Sequence, residues 1–277
     1  MTVRARIGDV DIAWEDEGDP EAPVLLLLHG FTGHRDDFLE VRADLARTHR
    51  VIVPDLRGHG DSGPSPDPAG YTFDALVDDL ERLLVHLGVE QIDLLGHSFG
   101  GMLALRFALA HPERLRSLTL MSTSPESPVG MSADGFEHAI QIVLEQGMAE
   151  LQRRAEAAGR SRVDPVIERW ADLYWPHHAR RYLAMDPAAY AGLGRAMVGQ
   201  CSLTPRLGEI EVPTLILVGA HDSQFLPGAD LLDQHLPAAR RITFPEAGHH
   251  PHQESRVAFL AAVAEHLRRT GAQPDAE

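Results

Sequence analysis

A serine hydroxyl attacks at neutral pH only when a base within hydrogen-bond reach takes its proton and a third group orients that base. The chain offers these three residue types in a usable order. Gly96-His97-Ser98-Phe99-Gly100 fits the pattern G-x-S-x-G. The glycines serve sterics: a turn that forces the serine into a strained backbone conformation brings neighbouring chain too close for side chains two residues either side. Asp222, in Gly219-Ala220-His221-Asp222, is the candidate acid. His249, in Glu246-Ala247-Gly248-His249-His250-Pro251, is the candidate base. Each alone reads as an ordinary loop residue, and the joint order Ser, Asp, His at the ends of successive strands makes nucleophilic catalysis the favoured reading. A fourth element is His29-Gly30-Phe31-Thr32-Gly33. Attack on a carbonyl creates an oxyanion, and oriented backbone amides there lower the barrier by about 3 kcal/mol per donor. The expected donors are the N–H groups of Phe31 and Phe99, whose side chains would then give the pocket an apolar floor.

These residues need elements that hold them. Val24 to His29 is apolar on both faces, as a buried parallel strand requires, and similar runs recur at Val51 to Pro54, Ile92 to Leu95, Leu118 to Met121 and Thr214 to Val218. Arg4 to Ile7 and Val10 to Trp14 flank Gly8-Asp9 as a hairpin-like pair, and Arg241 to Phe244 is a last strand. Between the runs lie helical patterns. Phe73 to Leu87 places Phe73, Leu76, Val77, Leu80, Leu83, Leu84 and Leu87 on one face, and Gly88 stops it. Met102 to Ala110 follows the serine motif, and Val257 to Leu267 closes the chain before a tail, TGAQPDAE, expected to fray. Strands alternating with helices predict an α/β chain: a mostly parallel central sheet flanked by helices.

The alternation stops between 124 and 211. That stretch holds 88 of 277 residues yet two of three Trp and three of four Tyr, and it reads as helices only. Phe136, Ile140, Val143 and Leu144 share one face, and Val166, Trp170, Leu173 and Tyr174 another. The expected organisation is a core, 1–123 and 212–277, with a helical cap over 124–211.

Composition narrows the partners. The formal charge is −16, and all 25 basic residues are Arg. A strongly negative chain with no Arg run longer than two repels polyanions, so nucleic acid is not an expected partner. No apolar run approaches the roughly twenty residues that span a bilayer. The single cysteine, Cys201, fits a reducing, cytoplasmic setting, and no export signal is visible in the first thirty residues. Sixteen histidines raise a metal hypothesis, with His249, His250 and His252 clustered and His177-His178 adjoining. No H-E-x-x-H occurs, and these are read as solvated loop histidines; neither metal nor cofactor is expected.

Taken together, His29-Gly30-Phe31, Asp55-Leu56-Arg57-Gly58-His59-Gly60-Asp61-Ser62, Gly96 to Gly101, His111-Pro112-Glu113-Arg114, Asp222 and Gly248-His249 resemble the α/β-hydrolase fold superfamily, in its branch with a helical cap. The resemblance covers nearly the whole chain apart from the cap. It implies a serine hydrolase acting on a small carboxylic ester, thioester or lactone with an apolar part, through an acyl-enzyme on Ser98. Haloalkane dehalogenases and epoxide hydrolases of this superfamily carry Asp where Ser98 stands. The loop Gly30-Phe31-Thr32-Gly33 is similar to that of menaquinone-pathway lyases, which usually have Tyr and Arg where this chain has His97 and Met102. A triad-dependent lyase, a C–C bond hydrolase, a cofactor-free perhydrolase and a non-catalytic receptor are the rival readings. Oligomeric state stays open.

Overall fold

Strands β1 (Thr2–Ile7), β2 (Val10–Glu17), β3 (Val24–Leu28), β4 (Arg50–Pro54), β5 (Ile92–His97), β6 (Leu115–Met121), β7 (Thr214–Gly219) and β8 (Ala239–Phe244) form one sheet in the order β1-β2-β4-β3-β5-β6-β7-β8. The computed structural model describes residues 2–161 and 171–271. β1 pairs antiparallel with β2, and β2 with β4; every later pairing is parallel. Parallel neighbours need long crossovers, and helices supply them: α1 (Leu39–Leu45), α2 (Phe73–Leu87), α3 (Phe99–Ala110) and, near the end, α8 (Leu226–His235). The short α9 (Pro251–Glu254) and the closing α10 (Arg256–Gly271) follow β8.

Side chains alternate along a strand, so the all-apolar β3 must be covered on both sides. Leu25 and Leu27 pack in one layer with Val41 of α1 and with Phe259 and Val263 of α10. Leu26 and Leu28 pack in the other with Leu76 and Leu80 of α2 and Leu103 and Phe107 of α3. Each such leucine, fully buried, contributes about 2 kcal/mol relative to leaving it in water. The ends of α2 follow from local chemistry. Thr72 Oγ1 accepts the Ala75 amide at 3.2 Å, and Gly88 closes the helix at φ 66°, a left-handed conformation that glycine adopts without a Cβ clash.

Between β6 and β7 the described residues form helices and no strand: α4 (Ala133–Gln146), α5 (Met148–Ser161), α6 (Ala171–Leu183) and α7 (Pro187–Val198). Phe136 stacks on Tyr190 at 5.5 Å, and Ile140 and Val143 are buried. Two residues depart from the expected faces: Leu144 and Leu173 are exposed. Val166 and Trp170 lie outside the described residues. Of the tail expected to fray, Thr270 and Gly271 instead continue α10, and the rest lies outside the described residues.

Parallel strands bring all their C-terminal ends to one edge of the sheet, the usual place for function in open α/β folds. The turns after β3, β5, β7 and β8 hold His29 to Gly33, Ser98, Asp222 and His249 respectively. The insertion leaves from the same edge, after β6. It touches the loop after β3 through His177 Nε2 to Asp37 Oδ1 at 2.6 Å and Arg180 Nη2 to Asp36 Oδ2 at 2.6 Å.

Candidate active site

The turn from β5 into α3 holds Ser98 at φ 54°, ψ −117°. A serine at positive φ costs about 1–3 kcal/mol and persists only where its surroundings fix it. Here the Ser98 amide donates to the Met121 carbonyl at 2.8 Å, and Thr123 Oγ1 donates to the Ser98 carbonyl at 2.6 Å. The glycines answer the closeness of the chain. A Cβ at Gly96 would stand 2.3 Å from the Gly100 carbonyl oxygen, and one at Gly100 would stand 2.5 Å from the carbonyl oxygens of Leu28 and His29.

The loops after β7 and β8 meet so tightly that a Cβ at Gly219 would lie 2.1 Å from the Gly248 carbonyl oxygen. Their contact brings the expected acid and base together: His249 Nδ1 lies 2.9 Å from Asp222 Oδ2, with the carboxylate buried. An ionised carboxylate only accepts, so Nδ1 carries the proton and Nε2 keeps its lone pair. Phe225 stacks on the imidazole at 4.7 Å and limits its tilt. Glu254 accepts the amides of Gly248 (2.6 Å) and His250 (3.3 Å), which pins the backbone on either side of His249. Ser98 and His249 line one cavity. Among the described residues no hydrogen bond joins their side chains, as is common at catalytic sites before substrate binds.

The loop after β3, with the expected oxyanion donor Phe31, is built around His29. Its Nε2 accepts the Leu56 amide at 3.0 Å, so Nδ1 donates to the Gly30 carbonyl at 2.9 Å; burial pushes its pKa down to about 4 and keeps it neutral. The Phe99 amide opens α3, where no intrahelical acceptor exists. Among the described residues, no hydrogen bond occupies the Phe31 or Phe99 amide. The side chains do not both form a floor, contrary to expectation. Phe31 lines the cavity, whereas Phe99 is fully buried and stacks on Phe73 at 4.9 Å, because the first turn of α3 points its side chain into the layer shared with α2.

The cavity has a volume of about 660 Å³. Its far wall is polar, which corrects the expected apolar pocket. Tyr174, His178, Arg181 and Tyr182 of α6 face it together, at helical spacings of four, three and one, with Gln224 opposite. Sequence reasoning missed this wall, although that spacing was the available signal. It also missed His97, whose Nε2 donates to the His249 carbonyl at 2.8 Å, and Glu254.

Two of these histidines are not solvated, contrary to expectation: His178 and His252 are buried, whereas His177, His249 and His250 are partly exposed, and the His97 ring lies 4.8 Å from His249 and 5.1 Å from His250. The reason is α9, which folds His252 under the loop against Phe38 at 5.2 Å. Desolvation pushes His252 down to about 4 and His97 and His250 well below the usual imidazole range, so the rings around His249 are neutral. Among the described residues, no group of three His, Cys, Asp or Glu side chains is placed to hold a metal ion.

Many known proteins are similar to this chain in sequence and in fold. The chain is 28% identical over 285 aligned residues, 96% of its length and 98% of the relative's, to the "Putative 2-succinyl-6-hydroxy-2,4-cyclohexadiene-1-carboxylate synthase" of Bacillus subtilis (strain 168). The crystal structure of a hydrolase from Pseudomonas aeruginosa PA01 superposes with a TM-score of 0.85 at 29% identity, covering 96% of this chain and 98% of that one. A malate-bound thermophilic esterase from Thermogutta terrifontis superposes with a TM-score of 0.80 at 30% identity, covering 98% and 99%. The family model described as alpha/beta hydrolase fold matches residues 23–255, and with the eight-stranded sheet and the turn at Ser98 it follows that the chain belongs to the alpha/beta hydrolase fold family.

Proposed function

We propose that the chain is a serine hydrolase that cleaves a small carboxylic ester, thioester or lactone through an acyl-enzyme on Ser98. The observation that carries this reading is the 2.9 Å contact of His249 Nδ1 with buried Asp222, in a loop that shares its cavity with Ser98 in its strained turn. His249 Nε2 takes the Ser98 proton as Oγ adds to the carbonyl, and the amides of Phe31 and Phe99 hold the resulting oxyanion. His249 returns the proton to the leaving alcohol or thiol. Water then repeats the sequence and releases the acid, while Asp222 holds the imidazole tautomer and stabilises its cation.

On this reading residues 124–211 form the cap that closes the site. The triad and the capped core favour an enzyme over a receptor. The similarity to the Bacillus synthase keeps a second reading, a lyase in which the same histidine and serine deprotonate substrate without an acyl-enzyme. His97 and Met102 stand against it at the elbow, where the related lyases carry Tyr and Arg. No helix among the described residues is long and apolar enough to cross a membrane, and together with the single cysteine this supports a cytoplasmic enzyme. Ser98→Ala is expected to reduce turnover of a short p-nitrophenyl ester at least about a thousandfold with its unfolding midpoint unchanged. Wild-type turnover in that variant would remove Ser98 from the reaction.

A further inference from the structure

We propose that Arg181 binds a carboxylate carried by the substrate, so that the bond broken at Ser98 belongs to a molecule with a second, ionised carboxyl group, such as the half-ester of a small dicarboxylic acid. This rests on the hydrolase reading for the bond that is cleaved, though not for the binding itself.

Arg181 projects from α6 into the cavity that holds Ser98 and His249. Its side chain is only 11% exposed, and its Nε is buried without a hydrogen-bond partner. Among the described residues the guanidinium donates no hydrogen bond. Comparably buried arginines of this chain behave differently. Arg57 grips Asp79 with two bonds of 2.6 and 2.7 Å, Arg50 grips Asp16 at 3.0 and 2.6 Å, and Arg42 donates to Glu17 at 2.6 Å. A buried guanidinium whose planar fork stays unused is therefore an exception here, and that fork matches a carboxylate.

The acids nearby are already committed. Asp37 Oδ1 is 4.0 Å from Arg181 Nη1, beyond hydrogen-bond distance, and that oxygen accepts His177 Nε2 at 2.6 Å while Oδ2 accepts the His34 amide at 3.2 Å. Asp37 thus steadies the charge of Arg181 without occupying its donors. Asp222 is taken by His249, and Glu254 by the amides of Gly248 and His250. One helical turn before Arg181, His178 also faces the cavity, with its buried Nδ1 unpartnered, and offers a second polar atom to the same ligand. In a chain of net charge −16, a local cation offsets the repulsion that an anionic ligand meets.

The test pairs binding with kinetics. Glutarate and its uncharged diamide are titrated by calorimetry into the wild-type protein, Arg181→Gln and Arg181→Lys. Glutarate should bind wild type at least about tenfold more tightly than the diamide; Gln should abolish that preference and Lys should keep part of it, since it restores charge without the fork. In parallel, kcat/KM is measured for the mono-p-nitrophenyl ester of glutaric acid and for p-nitrophenyl butyrate. The ratio of the two should fall at least about tenfold in Arg181→Gln, chiefly through KM. Equal binding of glutarate and diamide by wild type, or an unchanged ratio with only a lower unfolding midpoint in Arg181→Gln, would overturn the proposal and leave Arg181 as a counter-ion of Asp37. Tight, Arg181-dependent glutarate binding with no ester hydrolysed would uphold the carboxylate site and sink the hydrolase reading instead.

Discussion

Lowering the pH from about 7.5 to about 5 should cost this protein much of its stability, before its carboxylates protonate. Three buried histidines are responsible: desolvation pushes His29 to about 4, His59 to about 3 and His252 to about 4, from an ordinary 6.5. Above that ordinary value both folded and unfolded chains hold these rings neutral, and nothing depends on pH. Below it only the unfolded chain takes up protons, so stability falls with pH until the folded pKa is reached. At about pH 5 each ring accounts for a loss of about 2 kcal/mol, and the three for about 6 kcal/mol. Domains of this kind typically have about 5–15 kcal/mol in all. His97 and His250 shift in the same direction and add to the effect. Carboxylates with depressed values, such as Asp37, lose their contribution as pH falls from the ordinary carboxylate value of 3.8 downward, a separate and lower window. Urea unfolding across this pH range should show the midpoint falling steeply below about pH 6.5, and His59→Phe should remove about 2 kcal/mol of the fall. A midpoint that stays flat from neutrality to about pH 5 would refute the claim that these rings are buried and neutral.

Other perturbations bear on the site. Asp222→Asn should lower kcat about a thousandfold or more with the fold retained, since the imidazole loses its oriented tautomer; stopped-time ester assays with circular dichroism check this, and near-wild-type kcat counts against the assignment. His97→Ala removes the 2.8 Å tether on the His249 carbonyl and should lower kcat about tenfold with KM little changed. An effect confined to KM would show that His97 contacts substrate rather than positioning the base. Gly100→Ala forces a Cβ to within 2.5 Å of two carbonyl oxygens and should cost about 3 kcal/mol or prevent folding; an unaltered unfolding midpoint would contradict the close approach of β3 to the elbow.

What the sequence made legible was whatever local pattern determines. The five apolar runs became five of the six strands with parallel neighbours, because a segment apolar on both faces has no stable place except between two layers. Their extents were underread, as β5 runs on through Gly96 and His97 and β7 through Gly219, residues without an apolar signature. Ser98, Asp222 and His249 could be singled out because each sits at the end of a strand and the order is informative. The direction of the Phe99 side chain was not legible, since it depends on how α3 packs against α2. Neither was the burial of His252, which α9 imposes through contact with Phe38 from the other end of the chain. Arg181 was not legible either; only its position over the cavity, without a hydrogen-bond partner, distinguishes it from its neighbour Arg180, which pairs with Asp36.

The central claim is that Ser98 becomes covalently acylated during turnover. Rapid acid quench of the wild-type enzyme with a slowly deacylating ester, followed by mass spectrometry of its peptides, tests it directly. The account predicts a mass increment equal to the acyl group on the peptide containing Ser98, absent in Ser98→Ala and accumulating in the first turnover. Full product formation with that peptide unmodified at every quench time would contradict it.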